Sequence, residues 1–159
     1  MKYLFSILVM LMLTGVSVFQ VTTYGTATSP SGVTNLGGKW RIKFNLSGVG
    51  EKNLVSEFSA NGAGSFLLLD SGPDNKPASG SVPATWSQTT NDRVGFSGEV
   101  ELPIGTCCWE VGTLIFKGKI AANGSISGNV IFVGTTEDQE NYNGYRSTRG
   151  TFTAVRMKD

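Results

Sequence analysis

The sequence predicts an all-β protein, an antiparallel up-and-down barrel of about eight strands, with a β-sandwich as the alternative arrangement. Three observations carry this expectation. Trp40, Ile42, Phe44 and Leu46 alternate with Arg41, Lys43 and Asn45, the period-two pattern of a strand with one buried face. Asn-Gly occurs twice between strand-like runs, at Asn61-Gly62 and Asn123-Gly124, where a tight hairpin turn needs positive φ. No stretch beyond residue 30 shows the periodicity of an amphipathic helix, while the chain holds 21 Gly and only 16% charged residues.

The first segment reads differently from the rest. Lys2 precedes an apolar run that is densest from Ile7 to Leu13 and gives way to Thr14, Gly15 and Ser17. A basic start, an apolar core and small residues in that order make a secretory signal, expected to be removed after Ala27, with Ser17 as a second site. A membrane span is the rival reading, but it needs about 20 apolar residues and a flanking charge, and the next charge is Lys39. The expected organisation is a signal over residues 1–27, a polar tether over 28–36 and a barrel domain over 37–159. The mature protein is expected to be secreted or periplasmic, with no membrane association once the signal is gone. The chain has 13 basic and 12 acidic residues, and removing Lys2 balances them. No net-charge footprint for nucleic acid results.

The strands follow in order. Residues 40–46 form the clearest. Leu54 to Ala60 and Ser65 to Asp70 flank the first Asn-Gly and are expected to pair. Residues 71–83, with Pro73, Pro77 and Pro83, read as a long exposed loop, since proline is excluded from a sheet interior. Ala84 to Gln88 reads as a short edge strand. Arg93 to Leu102 puts Phe96, Val100 and Leu102 on one face and Ser97, Glu99 and Glu101 on the other. From Cys107, Trp109 and Val111 to Leu114, Phe116 and Ile120 the apolar parity changes, which predicts a bulge or corner near Gly112. Thr113 to Ile120 and Ser125 to Val133 flank the second Asn-Gly and are expected to pair. A polar, acidic loop over 134–147 leads to a last strand, Gly150 to Arg156. Closing such a meander into a barrel is the usual way to remove its edges.

Gly38-Lys39-Trp40 at the start of the first strand, together with Arg156 in the last, resembles the Gly-x-Trp and C-terminal Arg pair of the calycin barrels, the lipocalin and avidin group. The resemblance implies a lipocalin-like barrel in which Arg156 packs over Trp40 and closes the base. It brings no ligand contact with it, and the lipocalin Thr-Asp-Tyr motif does not occur in the middle of this chain.

Candidate chemistry is sparse. The absence of histidine from the whole sequence removes Ser-His-Asp and Cys-His catalysis and the usual zinc and copper sites. Glu99 and Glu101 share one strand face; a carboxylate pair can act as acid and base on a glycosidic bond, but their place opposite the apolar face reads as a solvated outer wall. Glu137, Asp138, Glu140, Asn141 and Asn143 suggest calcium, yet Gly144 misses the loop spacing from Asp138. No metal, cofactor or catalytic residue is therefore assigned. Cys107 and Cys108 are adjacent, and an exported chain uses cysteine for disulfides; a vicinal bond, two free thiols and a bridge to another chain all remain open. Trp86, Trp109, Tyr142 and Tyr145 stand in or near loops, where rings can stack on sugars or apolar compounds. Asn45-Leu46-Ser47 and Asn123-Gly124-Ser125 match the glycosylation triplet.

The functional expectation is non-enzymatic: binding of a small apolar ligand in the lumen, with the 71–83 and 134–147 loops as rims. A surface or matrix interaction module is the alternative, its barrel filled by Phe44, Phe58, Phe66, Phe96, Phe116 and Phe132. A carboxylate hydrolase is a second alternative.

Overall fold

A computed structural model describes residues 35–71, 80–105, 108–135 and 146–158. Eight strands follow one another: β1 (Gly38–Leu46), β2 (Gly50–Phe58), β3 (Ala63–Leu68), β4 (Val82–Thr90), β5 (Arg93–Ile104), β6 (Cys108–Ile120), β7 (Ile126–Gly134) and β8 (Arg146–Arg156). Each pairs antiparallel with its neighbour, and β8 returns to β1 through Trp40↔Arg156 to Leu46↔Gly150. The result is a closed up-and-down barrel rather than a sandwich.

Alternation in the sequence decides which side chains turn inward. In β1, Trp40, Ile42, Phe44 and Leu46 are buried while the residues between them are exposed. Because residues directly opposite in an antiparallel pair share a face, the register carries this parity around the barrel. Phe44 faces Phe152 and Phe96 faces Phe116. The centre is a cluster of rings around Phe116, whose centroid lies 4.8 Å from Phe96, 5.1 Å from Phe152, 5.7 Å from Phe44 and 5.9 Å from Phe66. Most of these pairs are edge-to-face, the arrangement the ring quadrupole favours.

Glycine makes room for the rings. A methyl group placed on the inward-facing Gly112 would lie 2.6 Å from Phe132 Cζ, and one on Gly98 would lie 2.8 Å from Phe66 Cδ2. Ring and glycine thus share one layer of the core, large against small, as a tapered interior requires.

The two Asn-Gly hairpins form as expected and are built alike. In the first, the Gly62 N–H donates to Ser59 O and the Ser59 N–H to Ala63 O; in the second, Gly124 donates to Ala121 O and Ala121 to Ser125 O. Gly62 and Gly124 take φ of 88° and 80°, and Asn61 and Asn123 accept the N–H two residues on through Oδ1.

Three expectations are corrected. The 84–88 segment is longer and is no edge: β4 is bonded to both β3 and β5, closure having supplied the partner its polar sequence did not advertise. No bulge interrupts β6, which pairs without a break from Arg93↔Lys119 to Ile104↔Cys108. The apolar parity changes because Val111 is outward and 41% exposed, while Gly112 takes the inward place beneath Phe132. Among the described residues, the register shifts between Gln88 and Thr90 instead. Finally, the tether does not reach residue 36, since Leu36 is fully buried and accepts the Trp40 indole N–H at 2.8 Å.

Candidate functional site

The topology gives the barrel two ends. The β2–β3, β4–β5 and β6–β7 hairpins share the base with both ends of the described chain, whereas the β1–β2, β3–β4, β5–β6 and β7–β8 connections share the mouth.

At the base, the Arg156 guanidinium lies 4.9 Å from the centre of the Trp40 ring. It donates to Gly37 O at 2.6 Å and to Asn35 O. Trp40 is 1% exposed, so the cation covers an aromatic plug. Gly38, with φ of 113°, passes beneath it, and a methyl group there would come 3.3 Å from Arg156 Nη1. The guanidinium bonds two backbone carbonyls and covers the indole, so the contact reads as a seal.

The four aromatic candidates are not gathered in one place. Trp86 occupies an inward register position of β4 near the base, 6.3 Å from Phe58, with its indole N–H on Ser59 O at 2.7 Å. Trp109 is at the mouth, on the outward register of β6 opposite Pro103. Tyr142 and Tyr145 lie outside the described residues. So do Cys107, residues 72–79 of the first rim loop, the acidic run 137–143 and Gly144.

Cys108 stands at the mouth end of β6, opposite Ile104, and is disulfide-bonded. Cys107 is the other cysteine of the sequence. Two residues on, Glu110 takes an inward register position opposite Leu102, and its carboxylate lies over Gly134 of β7. Glu99 and Glu101 are exposed on the outer wall, opposite Thr113 and Val111.

Two features escaped sequence reasoning. Ser56, facing Trp40 and Phe66, is fully buried and its hydroxyl has no hydrogen-bond partner among the described residues; its place in the β2 alternation signalled the burial. The distribution of outward charges around the barrel also escaped it, because faces are legible within one strand whereas the grouping of β1 with β6, β7 and β8 depends on closure. Asp92, in the β4–β5 turn, shows what those charges do: the Thr90 hydroxyl at 2.9 Å and Lys119 at 3.3 Å hold its carboxyl below the ordinary 3.8.

Searches of protein families, of curated proteins and of solved structures return no match to this chain.

Proposed function

We propose that the protein is a non-catalytic interaction module of calycin-like build, exported from the cytoplasm, whose filled barrel holds its outer wall rigidly for a partner. The single observation that carries this reading is the ring cluster around Phe116, since the lumen centre where a small apolar ligand would sit is occupied by the protein's own side chains. The outer wall supports it too. Lys43, Lys119, Glu99 and Glu101 are exposed there, and a wall in contact with lipid would lose about 2–4 kcal/mol for each Lys or Arg near the bilayer midplane. The apolar core of the leader and the disulfide at Cys108 support export, as disulfides persist in oxidising compartments. The solvated position of Glu99 and Glu101 argues against acid–base work by that pair.

A small apolar ligand at the mouth is the second reading, favoured by the disulfide-bonded Cys108, Trp109 and half-buried Ile104 at one rim. Titration with the apolar dye N-phenyl-1-naphthylamine, with native mass spectrometry of protein purified without detergent, separates the two. The module reading expects no saturable uptake and a mass equal to that of the processed polypeptide alone. Stoichiometric dye binding, or a copurified small molecule, overturns it in favour of the second.

A further inference from the structure

The balanced composition conceals a divided surface. On β6, β7, β8 and β1, four consecutive strands of the closed sheet, the charged residues at outward positions are Lys117, Lys119, Arg149, Lys39, Arg41 and Lys43, all exposed. Among the described residues no Asp or Glu takes an outward position on these strands. The opposite half, β2 to β5, carries Glu51, Glu57, Glu99 and Glu101 against Arg93. Ion pairs mark the seams, Lys43–Glu51 at 3.1 Å between β1 and β2 and Lys119–Asp92 at 3.3 Å beside β5. Lys39, Arg41, Lys117 and Arg149 have no ion-pair partner among the described residues.

The register shows what lies between these cations. One row crosses the wall as Lys43↔Thr153↔Ser127↔Lys119, and the next as Asn45↔Thr151↔Asn129↔Lys117. Neighbouring strands are about 4.8 Å apart, so each row spans about 14 Å, with hydroxyl and amide groups in the middle. No aromatic ring stands in either row. That composition suits a chain bearing carboxylate or sulfate groups at intervals and hydroxyls between them. It does not suit single-stranded nucleic acid, whose general binders stack bases on aromatic platforms.

We propose that the β6–β7–β8–β1 wall binds a linear acidic polysaccharide, with Lys39, Arg41, Lys117 and Arg149 on its anionic groups and Thr151, Thr153, Ser127 and Asn129 on its hydroxyls. The proposal deepens the interaction-module reading and rests on it.

Binding of the full-length protein to immobilised heparin, polygalacturonate, neutral dextran and an oligothymidylate tests this. The expected result is salt-released binding to heparin, polygalacturonate or both, stronger than to dextran or oligothymidylate. Combined R41Q and K117Q substitution should weaken it about tenfold and flatten its salt dependence. Combined E99Q and E101Q, on the far wall, should leave it unchanged or tighter, and circular dichroism should show both variants folded. Absence of binding to either acidic glycan at low salt overturns the proposal, as do stronger binding to dextran or oligothymidylate and indifference to R41Q/K117Q. Dye uptake read on the same samples keeps the two claims apart: failed glycan binding without uptake removes only the polysaccharide, whereas stoichiometric uptake removes the module reading beneath it.

Discussion

Replacing Phe116 with Ala tests whether the barrel is solid. Phe116 is fully buried and its ring meets those of Phe44, Phe66, Phe96 and Phe152 at centroid distances between 4.8 and 5.9 Å. Truncation removes the transfer free energy of a buried ring and leaves a void that neighbours on four other strands cannot close without moving backbone. Phe→Ala changes of this type cost about 3–5 kcal/mol, and aromatic pairs contribute about 0.5–1.5 kcal/mol beyond their area. The upper end of the range, about 4–5 kcal/mol, is therefore expected for F116A. Such a loss is a large share of the roughly 5–15 kcal/mol that a domain of ordinary stability possesses. Urea unfolding followed by tryptophan fluorescence measures it, read as a fall in midpoint at constant slope. The apolar void should also stay dry and accept benzene, raising the variant's midpoint and not the parent's. A loss below about 1.5 kcal/mol, too small for a truncated core ring, would refute the reasoning. It would mean that the ring lines a cavity instead of filling one.

Ser56→Ala removes a buried hydroxyl that lacks a hydrogen-bond partner among the described residues; since such a group costs about 1–3 kcal/mol, the variant should be more stable by about 1 kcal/mol, seen as a raised urea midpoint. Gly112→Ala places a methyl group 2.4 Å from Val133 O and 2.6 Å from Phe132 Cζ, and as a backbone carbonyl cannot swing aside, a loss of about 1–3 kcal/mol is expected in the same assay. Arg156→Ala removes two hydrogen bonds and a cation from Trp40; a loss of about 1–2 kcal/mol is expected, and Arg156→Lys should not restore it, because an ammonium lacks the planar fork. The lowered pKa of Asp92 gives stability that is present above the unfolded value of 3.8 and is lost as pH falls through the lower folded value. The Tm gap between the parent and Asp92→Asn should therefore be open at neutral pH and close in strong acid.

How much of this was legible in the sequence depended on how strongly each residue reports its face. β1 alternates large apolar with charged residues, so both its existence and its inward set could be read directly. The hairpins at Asn61 and Asn123 were legible because the backbone conformation they need is local. β4 was understated because Thr85, Ser87 and Gln88 say nothing about burial, and the evidence for its length lies in β3 and β5. Parity misled at Val111 and Gly112, where an apolar residue faces solvent and a glycine faces the core under the ring of a neighbouring strand. The candidate surface was hidden for a related reason. Lys39, Lys117 and Arg149 are far apart along the chain and become one wall only when β8 returns to β1. A net charge near zero cannot reveal such a division.

The return of β8 to β1 also constrains when this molecule can be made. Trp40 waits for a cover that comes from Arg156, and the Arg156 guanidinium in turn reaches back 119 residues to Gly37. Until the final strand has been delivered, the first has one bare flank and the phenylalanine cluster lacks Phe152. Contacts this distant along the chain make assembly slow, so the sheet cannot close on itself until β8 has been made.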